Sequence, residues 1–193
     1  TQPATVVSGN GTGSLITLNG ADYVTIDGRV GGAGASQLTI TNTNATGSAI
    51  TFINDATNNS VIYCALKSDN TSTGVVNFLG TTGTTGNDIN TIDNCNIGPN
   101  VANPIYGIYS LGSNASLVNN GITISNNNIF DYFSAGSASA GMNINSFSSG
   151  WTITNNNFYQ TATRTTTVSN QHSGVFISNS GTGYTISGNS IGG

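Results

Sequence analysis

The 193-residue chain contains no glutamate, and its three Lys or Arg residues and single His stand against seven aspartates. Charge is almost absent, and with it the long charged side chains that favour helices and cover their exposed faces, so a helical protein is not expected. Arg29, Lys67 and Arg164 are far apart in sequence, so no basic patch is available to neutralise phosphates, and nucleic acid is not an expected partner. No apolar run reaches the roughly 18 to 20 residues of a helical membrane span, so membrane insertion is not expected. Two cysteines and one histidine fall short of a closed zinc site, and neither a metal nor a cofactor is expected. The opening Thr1-Gln2-Pro3-Ala4-Thr5 lacks the basic, apolar and small-residue order of a signal peptide, so any export signal is expected to have been removed or to lie upstream.

What is present is apolar enough to fold. Hydrophobic residues make up 36% of the chain, with 7 Phe and 7 Tyr, and this supports a continuous core rather than disorder. The polar remainder is Asn, Ser, Thr and Gly, residues that favour turns and stacked strands over helix interiors. The composition predicts an all-β chain.

Sliding the sequence over itself reveals its organisation. Short apolar strands recur at Ile16, Ile50, Val76, Ile108, Met142 and Val175, at intervals of 26 to 34 residues. After four of them comes a row that aligns without gaps: Thr91-Ile92-Asp93-Asn94-Cys95-Asn96-Ile97, Thr123 to Ile129, Thr152 to Phe158 and Thr185 to Ile191. Looser copies at Thr25-Ile26-Asp27-Gly28 and Ser60 to Leu66 bring the count to six coils. Each row reads as a strand, a sharp Asn corner able to adopt a left-handed backbone, and a second strand. Alternation sends one column inward (Ile26, Val61, Ile92, Ile124, Ile153, Ile186) and leaves the flanking Thr, Ser and Asp facing solvent. One coil cannot bury its own apolar residues, but coils stacked about 4.8 Å apart can. The prediction is a right-handed parallel β-helix, or solenoid, of about six coils, forming one domain over 1–193. Asn-Gly pairs at Asn10, Asn19 and Asn120 leave local hairpins open. The ending Ile191-Gly192-Gly193 has no polar cap, and a continued stack, a piece of a longer solenoid, is expected.

The runs Tyr23-Val24-Thr25-Ile26-Asp27-Gly28, Thr91 to Ile97, and Trp151 to Gln160 followed by Thr161-Ala162-Thr163-Arg164-Thr165 resemble the β-helix repeat modules of very large secreted and cell-surface proteins of Bacteroidetes-type bacteria. The resemblance covers nearly the whole chain. It implies export, surface attachment and an adhesive or structural part, and it carries no catalytic residues.

Chemistry is thin. Parallel β-helices host polysaccharide lyases and glycoside hydrolases, and the best carboxylate pair here is Asp27 and Asp93, which share an outward column with Ile62 between them. Two coil spacings, roughly 9.6 Å, would suit an inverting pair at the limit, but no supporting residues accompany them. His172 reads as a surface-loop residue. Cys64 falls above Cys95, and two stacked buried thiols are expected in preference to a disulfide. The outward residues Thr91, Asp93, Thr123, Ser125, Thr152, Thr154, Thr185 and Ser187 form a two-column polar ladder that could face ice or a glycan. Tyr63, Tyr106, Tyr109, Tyr132, Phe133, Tyr159 and Trp151 are candidates for sugar stacking. The sequence therefore points to a non-enzymatic extracellular structural or adhesive module. Its expected partners are further copies of itself, adjoining β-helix repeats, or surface glycans or ice.

Overall fold

The computed structural model describes residues 4–192, so Thr1 to Pro3 and Gly193, which belong to the two terminal stretches read above, lie outside the described residues. The chain winds as a parallel β-solenoid of six coils, each visiting three sheets in turn. Sheet 1 stacks Ile16–Asn19, Ile50–Ile53, Gly74–Phe78, Tyr106–Ser110, Ser139–Ile144 and His172–Ile177. Sheet 2 stacks Thr25–Asp27, Ser60–Ile62, Thr91–Asp93, Thr123–Ser125, Thr152–Thr154 and Thr185–Ser187. Sheet 3 stacks Leu38–Asn42, Cys64–Ser68, Asn96–Gly98, Asn128–Phe130, Asn157–Tyr159 and Ser190–Ile191, with Thr5–Gly9 added before the first coil. Asn119–Asn120 and Ser148–Ser149 form a further two-stranded patch between sheets 1 and 2.

The register is the one the sequence rows imply. Thr91, Thr123, Thr152 and Thr185 pair in line, as do Ile92, Ile124, Ile153 and Ile186. Ile97, Ile129, Phe158 and Ile191 continue the same order on sheet 3. Val61, Ile92, Ile124 and Ile153 are fully buried, whereas Ile26 is partly buried and Ile186 half-exposed, since no further coil covers them in the described residues. Full burial of each such side chain contributes about 1.5–3 kcal/mol. Phe52 stacks on Phe78 at 4.6 Å between ring centroids, and Trp151 meets Phe78 edge-on at 5.3 Å.

The corners explain the abundance of Asn and Gly. Two residues before each sheet 2 strand the backbone is left-handed, at Tyr23, Asn58, Ile89, Gly121, Gly150 and Gly183. A second left-handed column follows sheet 2 at Tyr63, Asn94, Asn126, Asn155 and Gly188. Asn and Gly tolerate this conformation and β-branched residues do not, so Ile89, with φ of 55°, is strained. The Asn19-Gly20 and Asn120-Gly121 pairs serve as such corners between parallel strands, not as hairpins.

Buried amides tie coil to coil. Asn156 is fully buried; its Oδ1 accepts from the backbone N–H and Nδ2 of Asn127 at 3.0 and 2.9 Å, and its own Nδ2 donates to the carbonyl of Ile124 at 2.9 Å. Asn127 and Asn189 repeat the pattern one coil below and above. Cys95 and Cys64 occupy the same column lower down, where the N–H of Cys64 meets Cys95 Sγ at 3.4 Å. A second amide column, in which the N–H and Nδ2 of Asn59 donate to Asn90 Oδ1 in the next coil, lines the entry to sheet 2. No helix of the described residues is long and apolar enough to cross a membrane.

Candidate functional site

Sheet 2 presents the polar ladder read from the sequence, but its two columns differ. The first runs Thr25, Ser60, Thr91, Thr123, Thr152 and Thr185, one hydroxyl per coil through the whole stack. The second runs Asp27, Ile62, Asp93, Ser125, Thr154 and Ser187, so an apolar residue and two acids interrupt it. Ser125 donates its hydroxyl to Asp93 at 2.6 Å and is not free to meet a ligand. The uniform hydroxyl array is therefore one column wide.

The two carboxylates weighed for catalysis are engaged in separate structural roles. Asp27 accepts the Arg29 guanidinium at 2.8 and 2.9 Å, and the bond from Arg29 holds its carboxyl below the usual range. The guanidinium itself lies 3.8 Å above the centre of the Tyr63 ring. Asp93 accepts from Asn94, Ser125 and Asn126 at 2.6 to 2.8 Å.

The remaining acids behave alike. Asp22 holds the N–H and hydroxyl of Thr57, and Asp55 holds the hydroxyl of Thr81 and the N–H groups of Thr84 and Thr85. Asp69 accepts the N–H groups of Asn100, Val101 and Ala102 at 2.7 to 3.1 Å. Asp88 accepts the N–H of Asn120, and Asp131 accepts Thr161 twice and Arg164 at 2.5 Å. Apart from Asp27, each carboxylate binds groups in the coil that follows its own; for Asp93 those partners lie in the aligned rows, and for the other five they sit in loops of unequal length, where the sequence could not display the link. Hydrogen bonds lower the carboxyl pKa of Asp22, Asp55 and Asp131 despite the opposing burial of the latter two, while burial raises that of Asp88.

Cys64 and Cys95 are buried free thiols. Hydrogen bonding between them draws the Cys64 thiol down and, with burial, pushes the Cys95 thiol well up. Among the described residues no group of three or more His, Cys, Asp or Glu could hold a metal ion.

The aromatics divide sharply. Trp151 is fully buried, its indole N–H donating to the carbonyl of Asn119, so it is not a sugar platform. Tyr106 and Tyr109 stack on each other at 5.6 Å. Phe133, Tyr159 and His172 instead meet in a cleft of about 350 Å³ at the corner between sheets 3 and 1, beneath the 160–171 loop, with Tyr132, Gln160 and Arg164 also lining it. Tyr159 stacks on Phe130 at 5.6 Å, and Phe133 stacks on His172 at 5.2 Å. His172 Nδ1 bonds Ser139 Oγ at 2.7 Å, and among the described residues the opposite edge of the ring has no protein partner. Arg164 donates through Nε to Gln160 and through Nη2 to Asp131. Burial pushes the Tyr132 hydroxyl up to about 12. Phe130 and Gln160 went unnoticed in the sequence; the paired aromatics at 130 and 159, one coil apart, were the available signal.

Comparison with protein-family models, curated proteins and solved structures finds no match to this chain.

Proposed function

We propose that this chain is a non-enzymatic structural or adhesive β-helix module of an extracellular protein, a stiff segment that spaces or displays rather than transforms. The observation that supports this most is the use of its acids: six of the seven aspartates brace one coil to the next, and the seventh is locked to Arg29. Glycoside hydrolysis needs one carboxyl kept protonated beside another left free, and here hydrogen bonds keep most of the carboxyls ionised and committed. The exposed apolar residues at the two ends of the stack, Val7 at one and Ile186 and Ile191 at the other, fit an adjoining β-helix coil as partner. Export and a place at the cell surface accord with the resemblance noted in the sequence.

The hydroxyl column of sheet 2 is a weaker basis for ice binding, because a lattice plane must be matched in two directions and only one column is uniform.

The test is incubation of the purified chain with neutral and acidic polysaccharides, read for new reducing ends and for unsaturated products. No product is expected. Product formation that Asp93→Asn or Asp27→Asn abolishes overturns the proposal in favour of an enzyme.

A further inference from the structure

The outer face of sheet 1 carries a slot on the side of the stack rather than at an end. Gly107 and Gly141, in the fourth and fifth coils, face the core, where a Cβ would meet the Ile129 and Phe158 side chains at 2.5 Å. The residues that follow them, Ile108 and Met142, are also fully buried. Two consecutive inward positions break the usual alternation and bring residues three apart to the outer face together, where the rings of Tyr106 and Tyr109 stack at 5.6 Å. The register sets Ala140 and Asn143 beside that pair, and Ser173 and Phe176 beyond them. The fifth coil is thus a rung of short side chains between two aromatic ones. There a slot of about 40 Å³ opens, with Tyr106 to one side and Phe176 to the other. Coils stack along the axis and not onto an outer sheet face, and every wall of the slot lies in the three coils that form it.

One polar group in the slot lacks what its burial demands. Asn143 is only 7% exposed, and its Oδ1 is buried with no hydrogen-bond partner among the described residues. A buried acceptor in that state is costly unless something meets it. The terminal torsion of an amide is soft, so the oxygen can turn to an incoming N–H. At the rim, Ser173 Oγ takes the Gln171 amide at 3.2 Å and keeps its own proton to give. Most of the remaining lining is apolar, from Ala138, Ala140 and the two rings. Among the described residues no Asp, Lys or Arg lines the slot, so a charged head group would lose its hydration with no opposite charge to offset the loss.

The slot has room for about one to three waters, or for one flat group of about four heavy atoms. A neutral group with an N–H for Asn143, a carbonyl for Ser173 and a methyl for the apolar walls is an acetamido group. We propose that this slot binds the acetamido group of an N-acetylated amino sugar, with Asn143 as the acceptor that recognises it. A glycan fits better than an acetylated peptide, because a peptide docks most readily on an unpaired strand edge and the strands Tyr106–Ser110 and Ser139–Ile144 are paired on both sides. The paired rings of Tyr106 and Tyr109 next to the slot suit the apolar face of a pyranose. The proposal rests on the adhesive reading above and supplies its ligand class, yet the two fail separately: absence of binding leaves the spacer role standing, and polysaccharide cleavage overturns that role without touching the slot.

The test is a heteronuclear NMR titration of the full chain with N,N′-diacetylchitobiose, with cellobiose, which lacks only the acetamido groups, and with Nε-acetyl-lysine. Saturable shifts at Ala140, Asn143 and Ser173 are expected with diacetylchitobiose alone. Asn143→Leu, which keeps the number and branching of heavy atoms, should weaken that binding about tenfold or more. The same variant should melt at or above the parent, because it removes a buried acceptor that nothing in the protein satisfies. Asn157→Ala, on sheet 3, should bind as the parent does. The proposal is overturned if diacetylchitobiose leaves the slot unshifted or if cellobiose binds there equally well. Tighter binding of Nε-acetyl-lysine overturns it in favour of an acetylated peptide. It is also overturned if Asn143→Leu binds as the parent does, or melts below it, which would show the amide already engaged in the fold.

Discussion

Replacing Asn156 by Ala tests whether the buried amides hold the coils together. The change removes an acceptor that takes the N–H of Asn127 at 3.0 Å and its Nδ2 at 2.9 Å, and a donor to the carbonyl of Ile124 and to Asn189 Oδ1 at 2.9 and 3.0 Å. Asn127 is itself fully buried, so its N–H is left with no partner and no water. An orphaned buried donor costs about 1–3 kcal/mol, and each of the lesser losses about 1 kcal/mol, so a destabilisation of about 3 kcal/mol is expected. For a chain of this size that lowers the melting midpoint by about 6–12 °C. The control is Asn157→Ala, one residue on, whose exposed amide among the described residues bonds only Asn128; that change should stay within about 0.5 kcal/mol. Urea denaturation followed by circular dichroism gives the magnitude, and amide hydrogen exchange at Asn127 gives the location. If Asn156→Ala costs no more than its exposed neighbour, or if exchange at Asn127 is unaltered, the amide column is not what binds the coils.

Further outcomes follow from the same structure. Ile89 is a β-branched residue, 59% exposed, in a left-handed corner that Gly fills in three other coils, so Ile89→Asn should stabilise the protein by about 1 kcal/mol in chemical denaturation. Asp131 has a lowered folded pKa, so its contribution is fully present above the unfolded carboxyl value of about 3.9 and is lost as pH falls through the folded value. Asp131→Asn should therefore melt below the parent at pH 7 and converge with it in acid, whereas Asp88, whose ionised form is disfavoured by burial, should give an Asn variant as stable as the parent or more so at pH 7. Cys95→Asn would place an amide oxygen where a sulfur now receives the Cys64 N–H, so it should melt at or above the parent, while Cys95→Ala melts below it. Both thiols should resist a thiol-specific reagent in the native protein and react together on unfolding, an outcome that a disulfide would prevent.

The rows of seven residues carried the register because in each the apolar residue, the corner and the re-entering residue recur at fixed offsets, and stacking rewards in-line repetition. What a run such as Asn126-Asn127-Asn128 concealed is that its three identical residues have three roles. The first turns the corner with a left-handed backbone, the second is the buried cross-coil amide, and the third is half-buried and carries an outward amide ladder. The strand Thr5–Gly9 and the patch Asn119–Asn120 with Ser148–Ser149 escaped notice because they lie outside the repeat. The cleft was half legible: Tyr159, Phe133 and Tyr132 were marked by type, but only folding shows that Trp151 is sealed in the core and that Tyr159 stacks on Phe130.

Apart from Asp27, the carboxylates reach toward the coil that comes later in the chain, and the amides of Asn59, Asn90, Asn119, Asn127, Asn156 and Asn189 reach toward the one that came before. A chain emerging N-terminus first would thus find, on each finished coil that carries a bracing acid, an ionised acceptor already waiting for backbone groups not yet placed. The arriving coil brings the amide that closes the layer beneath. Growth then needs only closures of 26 to 34 residues at a time, which are entropically mild. No acid follows Asp131, so the sixth coil is added without a waiting carboxylate and should be the first to exchange its amide protons with solvent.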